Sequence, residues 1–202
     1  MFVKKLNQIQ SFWKPLIFFI CLSPFLLILS NTFGLFGNLG VNQVETLLDY
    51  FGNWALRFII IALSITPIRQ ITKWNSVSRF RRMIGLFAFF YALMHFFIWV
   101  TLEKEFRLNK ILEDFFERPF IALGFMSLFL LTALALTSFI KIRLYMKEYW
   151  QPLHNMVYVI GILSIWHYWW QVKKDITEPI IYATILTFLL IIRIIYKRRN
   201  VN

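Results

Sequence analysis

The sequence is short of the residues on which many soluble and secreted folds depend. Its 202 positions hold one cysteine, seven glycines and only 16% charged residues. The single cysteine, Cys21, cannot form an internal disulfide, and we expect it to face lipid or to pack between helices. A glycine-rich phosphate loop is absent, and there is no low-complexity tract and no repeat with a period of ~20–50 residues.

Apolar residues take the place of the missing charge. They make up 59% of the chain, more than a soluble domain of this size carries. Four apolar runs approach or reach the ~20 residues that are needed to cross ~30 Å of hydrocarbon. These runs are Leu16–Leu29, Leu86–Val100, Phe120–Leu136 and Ile180–Ile195. The sequence therefore predicts an integral membrane protein.

We predict an all-α membrane protein with a single domain over residues 1–202, built as a bundle of six transmembrane helices. The helices are predicted at roughly 15–35, 46–66, 82–102, 119–139, 152–171 and 179–196. Proline falls at or near four of the six predicted starts, and Pro67 follows the predicted end of the second helix. The first helix follows three lysines but lacks a clear cleavage site, so we expect an uncleaved anchor.

Acidic residues are also scarce, and their distribution predicts an orientation. The chain has 22 Lys and Arg against 10 Asp and Glu, a net charge of +12. Fifteen of the basic residues lie at the two ends and in the 67–82 and 140–151 loops, and nine of the acids lie in the alternate loops. The positive-inside rule then predicts that both termini are cytoplasmic. Nucleic acid is not an expected partner, because the basic residues lie in short loops and not on a soluble domain.

The three histidines, His95, His154 and His167, all lie in apolar segments. An ionisable residue within a membrane span is costly and indicates a functional site, although a neutral histidine can also bond a neighbouring carbonyl. His95 lies eight residues before Glu103, and His167 lies six residues before Lys173. At ~1.5 Å per residue, both imidazoles lie ~10 Å below the same membrane boundary, on parallel helices.

Two imidazoles at one level on facing helices can ligate one iron from both sides, so we predict His95 and His167 as axial ligands of haem iron. The chain has no C-x-x-C-H segment, so the haem would be bound non-covalently. Zinc would require three or four ligands, and the spans that carry these histidines contain no Glu, Asp or Cys. A stripe of small residues would let a flat macrocycle or another helix approach His95: Gly85, Ala88 and Ala92.

His154 has a different setting. It lies thirteen residues before His167, or ~20 Å along a helix, and therefore near the opposite membrane boundary. The thirteenth position before His95 is Arg82, so a second bis-histidine site has no partner there. From the residues alone, an interface histidine without a cofactor remains an open alternative for His154.

Four blocks of the sequence resemble the MsrQ family. They are "WALRFIIIALSITPIRQ", "RFRRMIGLFAFFYALMHFFIW", "ERPFIALGFMSLFLLTALALTS" and "WQPLHNMVYVIGILSIWHYWW". This family comprises the haem-binding membrane subunits of bacterial methionine sulfoxide reductase systems, within the ferric reductase-like transmembrane superfamily. The resemblance runs from about Gly52 to Tyr196 and rests on the order and spacing of the blocks.

The resemblance implies a multi-pass b-type cytochrome of the bacterial inner membrane, which is an electron-transfer subunit and not an enzyme by itself. Members pass electrons from the quinone pool to MsrP, a periplasmic molybdenum-containing catalytic subunit that repairs oxidised proteins, and they are also described as using FMN. The family's haem-binding histidines fall on His95, His154 and His167. Larger superfamily members carry a cytosolic flavin and nicotinamide domain, which is absent here, so the expected donor is membrane quinol or a separate cytosolic flavin reductase.

Four arginines are further candidates. Arg57 interrupts the second predicted helix, where a haem propionate would be a suitable counter-charge, although snorkelling or a carbonyl partner would also account for it. Arg79, Arg81 and Arg82 precede the third helix. They are either determinants of topology or ligands for an FMN phosphate, a quinone or a docked donor.

An aromatic cluster near the end of the fifth helix is typical of an interfacial belt, or it could lie beside a haem edge where MsrP docks: Trp166, Tyr168, Trp169 and Trp170. Three other functions remain open. The chain could be a haem electron carrier for a different periplasmic or metal-reducing partner, a small proton or ion transporter that uses its histidines, or a structural anchor.

Overall fold

The computed structural model describes residues 2–172 and 175–199, and in that part of the chain all regular structure is helical. Lys173 and Lys174, which contribute to the predicted charge balance, lie outside the described residues. Within the described residues the α-helices are α1 (Phe2–Thr32), α2 (Gln43–Thr72), α3 (Arg81–Ile98), α4 (Leu108–Glu117), α5 (Pro119–Leu136), α6 (Ile140–Met146), α7 (Trp150–Asn155), α8 (Val157–Gln171) and α9 (Thr177–Arg199). A 3-10 helix at Asn75–Phe80 precedes α3, a π-helical turn at Trp99–Glu103 follows it, and a 3-10 turn at Lys147–Tyr149 precedes α7.

Five helical segments in the described part of the chain are long and apolar enough to cross a membrane. They are Trp13–Thr32, Gln43–Thr72, Asn75–Glu103, Pro119–Leu136 and Thr177–Tyr196. The helical class predicted from the sequence is confirmed. The number of spans stays a prediction, because the fifth predicted span is not one helix.

That predicted span, residues 152–171, is interrupted at Met156, which separates α7 from α8. The backbone N–H of Met156 donates to the carbonyl of Leu153 at 3.0 Å, three residues back and not four, so the chain tightens at this point. The α8 helix has 15 residues, or ~22 Å, which is less than a full hydrocarbon crossing.

Four helices form the centre of the bundle. The α2 helix packs along α3, and α5 packs along α8. These two helix pairs contact each other through α3 with α5 and through α2 with α8. The α1 helix lies against α3, and α9 lies against α2 and α8. The two helix pairs therefore face each other, and the residues between them are positioned by four helices.

Two predictions of where helices lie were wrong: the end of the second helix and the loop at 103–118. The α2 helix continues through the buried Pro67 to Thr72, although proline removes one N–H donor and crowds the preceding turn, and the following 3-10 helix packs back on α2. The predicted loop at 103–118 contains α4, whose apolar residues follow a helical period that is too short for a membrane span. The predicted start of the first span, near residue 15, agrees with the candidate span Trp13–Thr32, although the α1 helix itself begins at Phe2.

Tyrosine side chains fasten α1 to the bundle where Pro24 interrupts its hydrogen bonding. The buried Tyr91 hydroxyl donates to the carbonyl of Cys21 at 2.9 Å and accepts from the N–H of Phe25 at 3.0 Å. Tyr50 donates to the carbonyl of Pro24 at 2.8 Å. Cys21 is buried, so it takes the second of its two expected places, packed between helices.

Candidate functional site

His95 on α3 and His167 on α8 lie opposite each other between the two helix pairs. Their ring centres are 6.2 Å apart and their planes are nearly perpendicular, at 86°. Nδ1 of His95 lies 2.9 Å from the carbonyl oxygen of Leu48, and Nδ1 of His167 lies 2.6 Å from that of Phe120. A carbonyl only accepts, so each Nδ1 carries the proton of a neutral ring and each Nε2 keeps its lone pair.

Glycine makes room for each imidazole. Gly52 and Gly124 lie one helical turn after the two accepting carbonyls. A Cβ atom at Gly52 would lie 3.2 Å from Nδ1 of His95, and one at Gly124 would lie 3.0 Å from Cε1 of His167. Both rings therefore lie against the backbone of the neighbouring helix, and a methyl group at either glycine would displace the ring.

Each residue of the His95 side has an equivalent on the His167 side that lies 72 positions later in the sequence. The offset relates Gly52 to Gly124 and His95 to His167, as well as the two carbonyls that accept from the imidazoles. Sequence analysis missed both glycines, since it considered only shorter repeat periods. The sequence did contain a signal for them: a glycine precedes a histidine by 43 positions twice, at Gly52 and His95 and again at Gly124 and His167.

The separation of the two rings is suited to one metal ion between them. Two metal–imidazole bonds of ~2 Å, plus ~1 Å from each nitrogen to its ring centre, add up to ~6 Å. The cavity between the rings has a volume of ≈ 280 Å³ and largely apolar walls. In the described part of the chain, no group of three or more His, Cys, Asp or Glu residues could hold a metal ion, so the ligands that zinc prefers do not converge there. We call the cavity between the two imidazoles the histidine cavity.

A second cavity lies at the other end of the same four helices. It has a volume of ≈ 380 Å³, and its basic side chains come from four different helices: Arg81, Arg82, Arg143, His154 and Arg193. No acidic side chain of the described residues lines it. We call it the arginine cavity, and its charge favours an anionic or electron-rich ligand.

His154 belongs to the arginine cavity and lies away from the other two histidines. Its Nε2 is 3.1 Å from Oγ1 of Thr137, and its ring stacks on Trp150 with the ring centres 3.9 Å apart. The Arg143 guanidinium carbon lies 4.5 Å from the centre of the Trp150 ring. The structure thus brings together two of the three predicted haem ligands and places the third among arginines.

The two cavities share part of one wall, formed by Ile59 and Leu131. The predicted stripe of small residues runs along both, since Gly85 and Ala88 line the arginine cavity and Ala92 lines the histidine cavity. A Cβ atom at Gly85 would meet no other atom within 4 Å. The stripe therefore leaves space at Gly85, whereas Ala88 is buried in the helix packing.

Known proteins resemble this chain over most of its length. Residues 51–165 match the family model of the ferric reductase like transmembrane component. A relative from Herminiimonas arsenicoxydans is 43% identical over 196 residues, which cover 94% of this chain and 88% of the relative. One from Xanthomonas euvesicatoria pv. vesicatoria is 45% identical over 152 residues, which cover 75% and 70%. Both are named heme-binding subunit MsrQ of protein-methionine-sulfoxide reductase.

The chain belongs to the MsrQ family. A third relative of the same name, from Polaromonas naphthalenivorans, is 41% identical over 180 residues, which cover 88% of this chain and 81% of that protein. The resemblance stated from the four sequence blocks is therefore confirmed, and the chain is a membrane protein of the ferric reductase-like family.

The remaining predicted residues of this MsrQ chain lie outside the two cavities or at their edges. Arg57 donates from Nε to the Tyr182 hydroxyl at 3.0 Å and lines neither cavity, so its role beside a propionate stays a prediction. Arg79 is exposed on the 3-10 helix and does not line the arginine cavity. Arg143 and Arg193 do line it and were missed, although Arg193 interrupts the apolar run "LLIIRIIY" as Arg57 interrupts α2.

The aromatic cluster divides into two parts. Trp166, Trp169 and Trp170 are 50%, 40% and 50% exposed, as expected for side chains at a membrane interface. Tyr168 instead lines the histidine cavity and donates to a carboxylate oxygen of Glu178 at 2.7 Å. Only Tyr168 of the four is next to the histidine pair.

Proposed function

We propose that this MsrQ-family chain is a b-type cytochrome whose His95 and His167 hold haem iron in the histidine cavity. It passes electrons across the bacterial inner membrane to MsrP, the periplasmic catalytic subunit that reduces methionine sulfoxide in oxidised proteins, and it has no catalytic site of its own. The observation that carries the proposal is the facing pair of imidazoles, each with Nδ1 bonded to a carbonyl and the ring centres 6.2 Å apart.

The chain's own residues prepare this site. The carbonyls of Leu48 and Phe120 select the Nδ1–H tautomer and fix the orientation of each ring. Gly52 and Gly124 allow the rings to approach the helix backbone, and the largely apolar walls suit a flat apolar macrocycle. Haem iron supplies one-electron redox chemistry at such a site.

The arginine cavity is the proposed entry point for electrons. A guanidinium group forms paired hydrogen bonds with phosphate and also donates to a carbonyl, so Arg81 and Arg82 suit the phosphate of FMN or the head of a quinol. Arg143 and Arg193 add two further cations to the same cavity. The residue related to His154 as His95 is related to His167, by a shift of 72 positions, is Arg82. A protonated arginine does not ligate iron, so His154 lacks a second ligand opposite it, and we assign the iron to His95 and His167. The exposed Arg79 suits the docking of a separate flavin reductase by charge.

The proposal includes an orientation, with six spans, both termini cytoplasmic and the arginine cavity facing the cytoplasm. The test uses single cysteines in a Cys21→Ala background and an impermeant thiol reagent added to intact spheroplasts. Glu113→Cys, on the exposed side of α4, should react, and Asn75→Cys, in the 3-10 helix before α3, should react only after lysis. The reverse pattern would overturn the orientation.

The function itself is tested by spectroscopy and reconstitution. The purified protein should show a Soret band and sharpened α and β bands on reduction, and colourless protein would overturn the proposal. In proteoliposomes with MsrP, a quinol or reduced flavin should reduce the haem, and methionine sulfoxide should then reoxidise it. Reoxidation that does not depend on MsrP would favour a different electron acceptor.

A further inference from the structure

The α4 helix has an apolar stripe that the rest of the described structure leaves uncovered. Leu108, Leu112 and Phe116 follow one another at intervals of four residues and are 72%, 56% and 77% exposed. Neighbouring apolar residues of α4, Ile111 and Phe115, are partly buried. Polar residues occupy an adjacent side of the helix, centred ~110° around its axis from the stripe at 3.6 residues per turn: Asn109, Lys110, Glu113 and Glu117.

Charged side chains fix the rotation of α4 about its own axis. Lys104 forms an ion pair with Asp114, and each residue is only 7% exposed. Nε of Arg118 lies 3.4 Å from the other carboxylate oxygen of Asp114. Rotating α4 to bury its exposed stripe would break a buried ion pair, which is strongly unfavourable.

Aromatic contacts place α4 beside the bundle and not above it. The Phe115 ring centre is 5.3 Å from that of Phe125, and Phe125 is 5.5 Å from Phe96 of α3. Phe125 lies six residues beyond the first residue of α5, or ~9 Å along the helix. The α4 helix therefore lies alongside the first turns of α5.

The connections of α4 hold its stripe at this level. Four residues separate the π-helical turn from α4, and Arg118 alone separates α4 from α5. Both neighbouring segments are candidate membrane spans. The stripe is thus kept where the spans leave the hydrocarbon, at the level of the lipid headgroups.

We propose that α4 is an interfacial helix, with Leu108, Leu112 and Phe116 inserted among the lipid acyl chains and the polar side facing water. A short amphipathic helix tethered in the plane of the interface gains from burying such a stripe in lipid. Were the stripe a docking face for a soluble partner, it would remain in water whenever that partner was absent. Phe125, against which Phe115 of α4 packs, lines the histidine cavity, so α4 also supports one wall of that cavity from outside.

The test places an environment-sensitive fluorophore on single cysteines of the full chain, in a Cys21→Ala background and in phosphatidylcholine nanodiscs. Leu112→Cys and Phe116→Cys should give blue-shifted emission that is lost to a nitroxide on the lipid chains and not to aqueous iodide. Glu113→Cys and Glu117→Cys are matched controls on the polar side, and they should show the opposite pattern. Retention of the wild-type visible spectrum and of a monodisperse elution profile shows that each variant is folded.

Two outcomes would overturn the proposal. The first is quenching of positions 112 and 116 by iodide to the same extent as positions 113 and 117. The second is a stripe that is accessible to iodide in nanodiscs and protected only after the soluble catalytic subunit is added, which would make it a protein docking face. If a variant at 112 or 116 does not fold, Leu108→Cys gives the same measurement at the most N-terminal position of the stripe.

Discussion

The histidine cavity and the arginine cavity lie at two levels of one helical bundle, yet they offer opposite chemistry. The histidine cavity presents two imidazoles, with Asp49, Glu103 and Arg118 also in its lining. The arginine cavity presents four guanidinium groups and no acid among the residues described. Neutral imidazole nitrogens suit a metal, whereas guanidinium groups suit phosphate or a carbonyl, so one frame accommodates two kinds of ligand at two levels.

The two cavities also differ in symmetry. At the histidine cavity, the offset of 72 positions relates identical residues, His95 to His167 and Gly52 to Gly124. The same offset at the arginine cavity relates Arg82 to His154. Under the proposed function, the like pair would hold one iron between two imidazoles, and the unlike pair belongs to a site for an anion, which needs no matched ligands.

The largest expected effect comes from removing an imidazole. His95→Ala or His167→Ala should abolish low-spin haem binding while the protein still inserts, because the proposed site then keeps only one of its two imidazoles. His154→Ala, in the arginine cavity, should keep the low-spin spectrum. Bound haem per protein and the reduced α band measure both results. The assignment is falsified if both single variants at the histidine cavity retain a wild-type spectrum, and loss of haem on His154→Ala alone would also contradict it.

Substituting the supporting glycines should have the next largest effect. Gly124→Ala and Gly52→Ala force each imidazole away from its carbonyl, and overpacking of ~1–3 kcal/mol would weaken haem retention ~10-fold. Gly124→Ala should be the more severe, because its Cβ would lie 3.0 Å from the ring and not 3.2 Å. Gly85→Ala is the matched control, since its Cβ meets nothing within 4 Å. Haem titration measures the change, and equal losses in all three variants would show a general packing defect.

Removing charge from the arginine cavity should affect electron entry without affecting the histidine cavity. The double substitution Arg81→Ala/Arg82→Ala should leave the haem spectrum intact and slow its reduction by quinol or a flavin donor ~10-fold, because charge-assisted hydrogen bonds of ~1.5–3 kcal/mol are lost. Stopped-flow reduction measures the rate. Arg79→Ala is the control for charge at the same end of the protein, and with a quinol donor it should reduce at the normal rate. Normal reduction of the double variant by every donor would leave the arginines as determinants of topology only.

A change outside both cavities should have the smallest effect. Tyr91→Phe removes the hydroxyl that bonds Cys21 and Phe25, and the free energy of unfolding should fall by ~1–3 kcal/mol. Haem content and reduction rate should remain unchanged, since Tyr91 lines neither cavity. Thermal unfolding in detergent measures the loss. Tyr50→Phe removes a single bond to α1 and should cost less, so equal losses would contradict this account of α1.

Helix class, most span positions and the level of the histidine pair were predictable, because they depend on local sequence. Apolar runs mark the spans, and a rise of ~1.5 Å per residue converts the distance from Glu103 into the depth of His95. The break at Met156 was not predicted, since the two polar residues before it, His154 and Asn155, are also typical of an unbroken helix that begins at the membrane interface. The α4 helix was mistaken for a loop, because a ten-residue amphipathic helix is too short for the hydropathy pattern that identifies spans.

By itself, the sequence determined the membrane class, the helical fold, the family and the two histidines that lie at one depth, since hydropathy, helical rise and ordered sequence blocks are properties of the chain read in order. Only the tertiary structure decided which surfaces meet. It set Gly52 and Gly124 against the imidazoles, turned Arg57 toward Tyr182, and added Arg143 and Arg193 to the arginine cavity. Contacts of this kind join residues that are tens of positions apart, and they depend on how helices are rotated and paired, which no local pattern specifies.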